Sequence, residues 1–386
     1  MPPQEITPEP FPWLDTSRYS FSQGIDASGA AWLAGQTAGA YDTESGRVTV
    51  RGDGAEQASV CWAKVEAVLD AAGRDISECS EATEYVTVAG APERDAIAGE
   101  RPHGLGSAVG GVRPSTFVVE SLVRPEALVE VEVVAGRVDG LVHVPQVLPV
   151  DDDGNAVLPG DFVGQCEWAL EEAGRRLESH GMDLSNVVRI VQQTTAATRR
   201  QYNETAEARR RLLAPQFPSS TGLLMPELPH PEALVALDVW ASAHPKTVVP
   251  YLAEAYSSLT FSPAVEAGGL LFISGTTAFN LGTGGTVAEG DIGGQAEFVY
   301  GEIAAICEMA GTSIDNLVKT VEYVTPDGVG DYRAVGEVRQ RVMGRPFPAS
   351  TGVVVSGLLS RRWLIEVEAV ALMPREAEPG EPERET

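Results

Sequence analysis

The stretch RPFPASTGVVVSGLLSRRWLIEVEAVALMP, residues 345–374, reads as two strands joined by a tight connection. Val353, Val354 and Val355 are β-branched. From Leu364 to Val370 the residues Ile365, Val367 and Ala369 alternate with Glu366, Glu368 and Val370, a period of two that sends both carboxylates to one face. The same text occurs earlier. FPSSTGLLMPELPHPEALVALDVWA (217–241) aligns with residues 347–371 without a gap. PSTFVVESLVRPEALVEVEVVA (114–135) matches both, and its PEALV run recurs at 231–235.

Working outward, Gln57, Gln165 and Gln295 each open a helical pattern, and Gly73, Gly181 and Gly311 follow at a constant interval. EYVTV at Glu84, QQTTA at Gln192 and EYVTP at Glu322 keep that register. The chain therefore reads as three copies of one unit. An N-terminal arm spans 1–18, and repeats span 19–138, 139–243 and 256–374, with a linker at 244–255. The second repeat starts abruptly and lacks its first strand. Residues 375–386 are charged, without apolar anchors, and are expected to form a disordered acidic tail. Each unit shows strands, a helix with apolar residues three and four apart (Cys61, Val65, Val68, Leu69), a strand, a second helix and closing strands. The second helix is expected over 201–213 and 331–343. In the first repeat AGERPHGLGSAVGG (98–111) reads as an irregular loop.

Composition bounds the function. At 386 residues and 43% hydrophobic content this is a globular chain, and its net charge of -27 opposes binding to nucleic acid or to anionic membrane. The start has neither the basic nor the apolar region of a signal peptide, so the expected location is the cytoplasm. Cys61, Cys79, Cys166 and Cys307 have no CxxC spacing, and the five histidines show no paired ligand spacing. No metal and no cofactor are expected. The loop LGTGGT (281–286) lacks a GK[ST] ending, and no GxSxG elbow is present.

The element order, the AGQ (34–36) and SGT (274–276) after the second strand, and FPxST followed by VEVE-type strands resemble the RidA/YjgF family of imine and enamine deaminases. The resemblance implies an α+β fold: three tandem chorismate-mutase-like β-β-α-β-α-β-β units forming an intramolecular pseudo-trimer around a central barrel, with ligand clefts between units. It implies a monomer, because fusion replaces the family's trimer. It also implies a small-molecule substrate, possibly carboxylated. The family's carboxylate-binding arginine two residues after FP is replaced by Ser350 and Ser220. Pro114 stands there in the first repeat, with Arg113 beside it. Arg113 and Arg345 are the candidate substitute cations. A frequent cysteine falls on Gly352, Gly222 and roughly Thr116, a tyrosine on Phe21 and Phe261, and a serine on Ser274 but on Ala34 and Val144 elsewhere. The water-positioning glutamate falls on Glu366 and Glu130, and on Ala236 in the second repeat.

The resemblance thus implies Glu366 and Glu130 as catalytic residues, with Ser350, Thr351, Gly352, Ser274, Arg113, Arg345 and Phe261 binding substrate. The expected cleft contains the third repeat's closing strands, with Glu366 moving the proton and Ser350 and Thr351 orienting the ligand. The expected chemistry is carboxylate-assisted water addition or elimination on an imine, enamine or enol-type metabolite. Without the arginine, simple 2-imino acids are not expected as substrates. Two alternatives stand beside this: a chorismatase-like hydrolase or lyase, and a non-catalytic metabolite- or partner-binding protein on a degenerate scaffold. The competing description of Glu366, Glu368, Glu130 and Glu132 is a solvent-facing or barrel-facing strand edge. For the FPxST turns it is local hydroxyl capping.

Overall fold

The computed structural model describes residues 2–374, and the acidic tail expected over 375–386 lies outside the described residues. Three mixed sheets share one strand order. The first runs Gly24–Ala27, Ala30–Leu33, Val129–Gly136, Cys79–Thr87, Ser115–Val119. The middle one runs Leu141–Val147, Val235–Ser242, Val187–Thr195, Ser219–Met225. The third runs Ala264–Ala267, Leu270–Thr277, Ile365–Leu372, Leu317–Val324, Ala349–Val354. The middle sheet opens on a single strand, whereas the arm strand Gln4–Ile6 and the linker strand Thr247–Val248 each extend the opening edge of another sheet.

The two closing strands are not a hairpin. Leu317–Val324 lies between them, antiparallel to Ile365–Leu372 and parallel to Ala349–Val354. A parallel pair needs a crossover, which the helix Arg333–Val342 supplies. The middle sheet has the same crossover through Ala206–Leu213. In the first sheet only the short helix Arg94–Gly99 precedes the glycine-rich loop.

The long helices Gly54–Ala71, Phe162–Glu178 and Ile292–Ala310 begin at Asp53, Asp161 and Asp291, whose carboxylates cap free backbone amides. The repeated glutamine has a structural task. The side-chain carbonyls of Gln57, Gln165 and Gln295 accept from the amides of Leu128, Leu234 and Leu364 at 2.8, 2.8 and 2.7 Å, tying each helix to the start of a closing strand. The four cysteines are buried and free. Among the described residues no helix is long and apolar enough to cross a membrane.

Each sheet packs one face on its own helices, giving three separate apolar clusters. The other faces meet in two clusters shared by all three sheets, one around Trp32, Trp240 and Phe272, the other around Tyr85, Leu223 and Tyr323. The period of two in the last strand accounts for this division. Ile365, Val367, Ala369 and Ala371 face the helices, while Glu366, Glu368 and Val370 point the other way. Between the shared clusters runs a belt of paired charges. Lys319 Nζ donates to Glu132 (2.7 Å) and Thr351 (2.9 Å). Arg189 donates to Glu368 (2.5 Å), which also accepts from Thr221 and Tyr323. Asp238 accepts from Ser115 (2.6 Å) and pairs with His143 (3.0 Å), beside Glu81. Glu132 and Glu368 are therefore buried members of ion pairs, not a solvent-facing edge.

Two of the seams between sheets are closed by strand pairing, Ser121–Leu122 onto Ala349–Val354 and Gly357–Leu358 onto Ser219–Met225. The third corresponding segment, PELP (226–229), forms no strand. Glu120 donates its amide to Val354 (2.8 Å), and the matching residue of the middle sheet is Pro226, which has no amide hydrogen. The expected closed barrel is thus not formed by strand pairing. The third seam is held by side chains, Gln146 donating to the Thr116 carbonyl (2.7 Å) and bonding Gln193 (3.0 Å).

Candidate active site

Two large clefts open at the two strand-paired seams. The first, between the first and third sheets, has a volume of about 670 Å³; the second, between the third and middle sheets, about 600 Å³. They share a framework. One wall gives a glutamate from a closing strand, Glu130 or Glu366. The other gives an arginine from the crossover helix, a serine and a tyrosine: Arg339, Ser350 and Tyr332 in the first cleft, Arg209, Ser220 and Tyr202 in the second.

In the second cleft Glu366 is 4% exposed, and its pKa is pushed up to about 8 by burial, reinforced by Glu368 and opposed by the Gly222 amide. It lies so close to Gly275 that a Cβ there would collide with Oε1, which accounts for the glycine of SGT. Gly222 is needed for the same reason opposite the Tyr202 hydroxyl. Arg209 is 4% exposed and donates to Ser220 Oγ (2.6 Å) and Gln192 Oε1 (3.0 Å), both neutral, and among the described residues its Nε has no partner. The guanidinium charge is therefore uncompensated in a partly dry cleft. Phe261, Phe279 and Trp363 supply an aromatic wall.

In the first cleft Glu130 is likewise pushed up to about 8, by burial and then Glu132, against the opposing pull of Lys319 and Lys64. Gly35 leaves room for it as Gly275 does for Glu366. Arg339 donates to Ser350 Oγ (2.5 Å), but Glu322 stands 3.4 Å away where the second cleft has Gln192. Glu322 also accepts from the Tyr300 and Tyr332 hydroxyls, so this arginine is already neutralised. Lys64 is buried and donates to the carbonyls of Thr37 (2.7 Å) and Gly39 (2.6 Å), its pKa pushed down to about 8 mainly by burial.

The structure separates residues that the sequence reading grouped. Glu366 and Phe261 line the second cleft, whereas Ser350, Gly352 and Glu130 line the first, so Glu366 faces Ser220 and not Ser350. The crossover strand pairs in parallel within its own sheet and antiparallel with a segment of the neighbouring unit, and a unit's glutamate and serine therefore line different clefts. Thr351 lies in the buried belt, bonded to Lys319, Glu132 and the Gly35 amide. Ser274 links sheets, accepting from the Ser220 amide (2.8 Å) and donating to the Ser262 carbonyl (2.6 Å). Arg113 is exposed on the loop before Ser115. Arg345 straps the arm, donating to the Ser17 carbonyl (2.9 Å) over the Phe347 ring. Strand pairing puts Pro145, not Val144, at the Ser274 position of the middle sheet, one residue away from the expected match.

The arginine that the sequence appeared to lack comes from another element. Arg209 and Arg339 sit at matching places on the crossover helices, among buried Ala208 and Leu213, or Val335 and Val338. A charged residue on the apolar side of an amphipathic helix was the available signal. The metal question has a similar lesson. Glu81, His143 and Asp238, far apart in sequence, bring one donor atom each within 4.8 Å of one another, and His143 is held there by its bond to Asp238.

Comparison with known proteins identifies the family and the fold. The Ribonuc_L-PSP family, described as Endoribonuclease L-PSP, matches residues 253–373. RutC family protein PH0854 of Pyrococcus horikoshii is 35% identical over 127 residues, 33% of this chain and 90% of that protein. RutC family protein PYRAB12510 of Pyrococcus abyssi is 32% identical over 133 residues, covering 34% and 94%. A crystal structure of chorismatase aligns over 76% of this chain and 93% of its own with a TM-score of 0.51 at 14% identity, a likeness of fold. With 90% of a relative's length matched at 35% identity, the chain belongs to the RutC family, also called the YjgF or RidA family.

Proposed function

We propose that the protein is a small-molecule enzyme that adds water to, or eliminates from, a carboxylated imine, enamine or enol-type metabolite in the cleft containing Glu366. The observation carrying this is the pairing of Glu366, protonated at neutral pH, with Arg209, a guanidinium without a counter-ion, in one cleft. Arg209 receives the carboxylate through charge-assisted bonds. Glu366 then gives its proton to the imine nitrogen, and the resulting carboxylate takes a proton from the water that attacks the carbon. The carbinolamine so formed then collapses: Glu366 returns the proton to the nitrogen, the C–N bond breaks as ammonia leaves, and the hydroxyl proton passes back to Glu366 as the 2-oxo acid forms. On an enol ether the same proton transfer would serve elimination or hydrolysis.

The three sheets with one strand order, and a crossover helix in two of them, support three RidA-like repeats fused into a monomeric pseudo-trimer, with divergence permitted at each seam because the copies are not identical. Arg209 removes the ground for excluding 2-imino acids. The test is a stopped assay of ammonia release from a panel of freshly generated 2-imino acids, run with the wild type, Glu366→Gln and Arg209→Met. The proposal expects turnover above buffer that both substitutions reduce. Turnover equal in all three proteins would refute it.

A further inference from the structure

The two clefts share glutamate, arginine, serine, tyrosine and glycine, and differ in charge around them. Lys64 and Glu302 hold the same place on equivalent long helices, counted from Gln57 and Gln295, and each lines its own cleft. The position is therefore cationic in the first cleft and anionic in the second. Arg124, half-buried on the rim of the first cleft, has no carboxylate within ion-pair distance among the described residues, and the residue matching it beside the second cleft is Ser360. Two cations, Lys64 and Arg124, thus stand opposite Arg339, which Glu322 already neutralises. With Glu130 protonated at neutral pH and Glu322 matched to Arg339, their charge is unbalanced. In the second cleft the single buried cation Arg209 is set against Glu302, which accepts from the Tyr251 hydroxyl (3.0 Å).

We propose that the two clefts are sites for two ligand classes: the first takes a small dicarboxylate, whose two negative charges balance Lys64 and Arg124, and the second takes a small carboxylate that also carries an amino or imino group. A dianion balances the two unpaired cations of the first cleft, and would meet repulsion from Glu302 in the second. A zwitterion presents its carboxylate to Arg209 and its cationic nitrogen to Glu302, with any apolar substituent on the wall of Phe279 and Trp363. The opposite placement leaves an unpaired charge in each cleft, which is how discrimination arises without any change of framework.

The proposal for the second cleft rests on the carboxylate-binding role given to Arg209 above, and the experiment measures binding, not turnover, so loss of one reading leaves the other standing. The full-length protein is titrated calorimetrically with glutarate and with L-phenylalanine, for the wild type, Arg124→Ser and Glu302→Gln. Arg124→Ser introduces the residue found at position 360 and lies on the rim, so folding is retained. Removing one charge-assisted partner is expected to weaken the cognate ligand by about ten- to a hundredfold. Glutarate should weaken only in Arg124→Ser and L-phenylalanine only in Glu302→Gln, and saturation with one ligand should leave the other's affinity unchanged. Mutual displacement of the two ligands, equal effects of either substitution on both, or absence of glutarate binding at millimolar concentration overturns it.

Discussion

Glu366 rests against the backbone of Gly275, with no space for a side chain between them. The glycine's role is therefore to admit the carboxylate, not to permit an unusual backbone. Gly275→Ala should push Glu366 out of place and reduce kcat toward the level of Glu366→Gln, roughly 10² to 10⁴ below wild type, the usual worth of a positioned acid. The overpacking itself should cost about 1–3 kcal/mol of stability. Steady-state kinetics and denaturant unfolding of both variants check this. Glu130→Gln should be the milder change, and the reverse ranking would move the chemistry to the first cleft.

Arg209 and Arg339 are matched in position and opposed in what stands behind them. Arg209→Met leaves neutral Gln192 and Ser220, so stability should barely change while kcat/KM falls by about one to two decades. Arg339→Met leaves Glu322 buried beside only hydroxyl donors, and should destabilise the fold by about 3 kcal/mol, toward the lower end for a broken buried pair. Equal stability losses in the two variants would contradict this account.

Glu366 has a folded pKa raised to about 8 by burial, so as a proton donor it is loaded below that pH. The rate should be flat through neutrality and fall as pH rises through about 8, and the alkaline limb should vanish in Glu366→Gln. A limb that instead rises toward pH 8 would mean that the carboxylate form starts the reaction.

The buried belt predicts a pH-dependent stability. For His143 burial opposes protonation, but Asp238 and Glu81 outweigh it and its pKa is raised; Glu81 is raised to about 7, chiefly by burial. A raised folded pKa stabilises fully below the unfolded value and loses that contribution as pH climbs through the folded one. Both groups act in the same direction, so unfolding free energy should decline from about pH 4.5 upward through neutrality. Asp238→Asn should cost more at about pH 6 than at about pH 8. A cost independent of pH would show that His143 is neutral in the folded protein.

Much of the fold could be read from spacing. The repeated glutamine marks a bond that every unit needs, and the alternation in Leu364–Val370 records two different buried faces. Both are local, so they survive in the sequence as period and register. The composition of each cleft is not local. Glu366 meets Ser220 because a crossover strand carries one unit's serine to the neighbouring sheet, and no spacing within a repeat encodes that neighbour. Arg209 is not legible from the FPxST turn, because its guanidinium reaches the turn's serine from the preceding helix.

Pro226 lacks the amide through which Glu120 secures its seam to Val354. The ring of sheets can consequently part between the middle and first members without breaking any backbone-to-backbone strand pairing across the gap. Opening elsewhere must first unzip paired strands. Hydrogen exchange should therefore be fastest along the free edge of Ser115–Val119, where no neighbouring strand shields the amides, and slow along Ser219–Met225 and Ala349–Val354. The ring thus has a built-in point of entry, where it can breathe while both of its clefts stay shut in register.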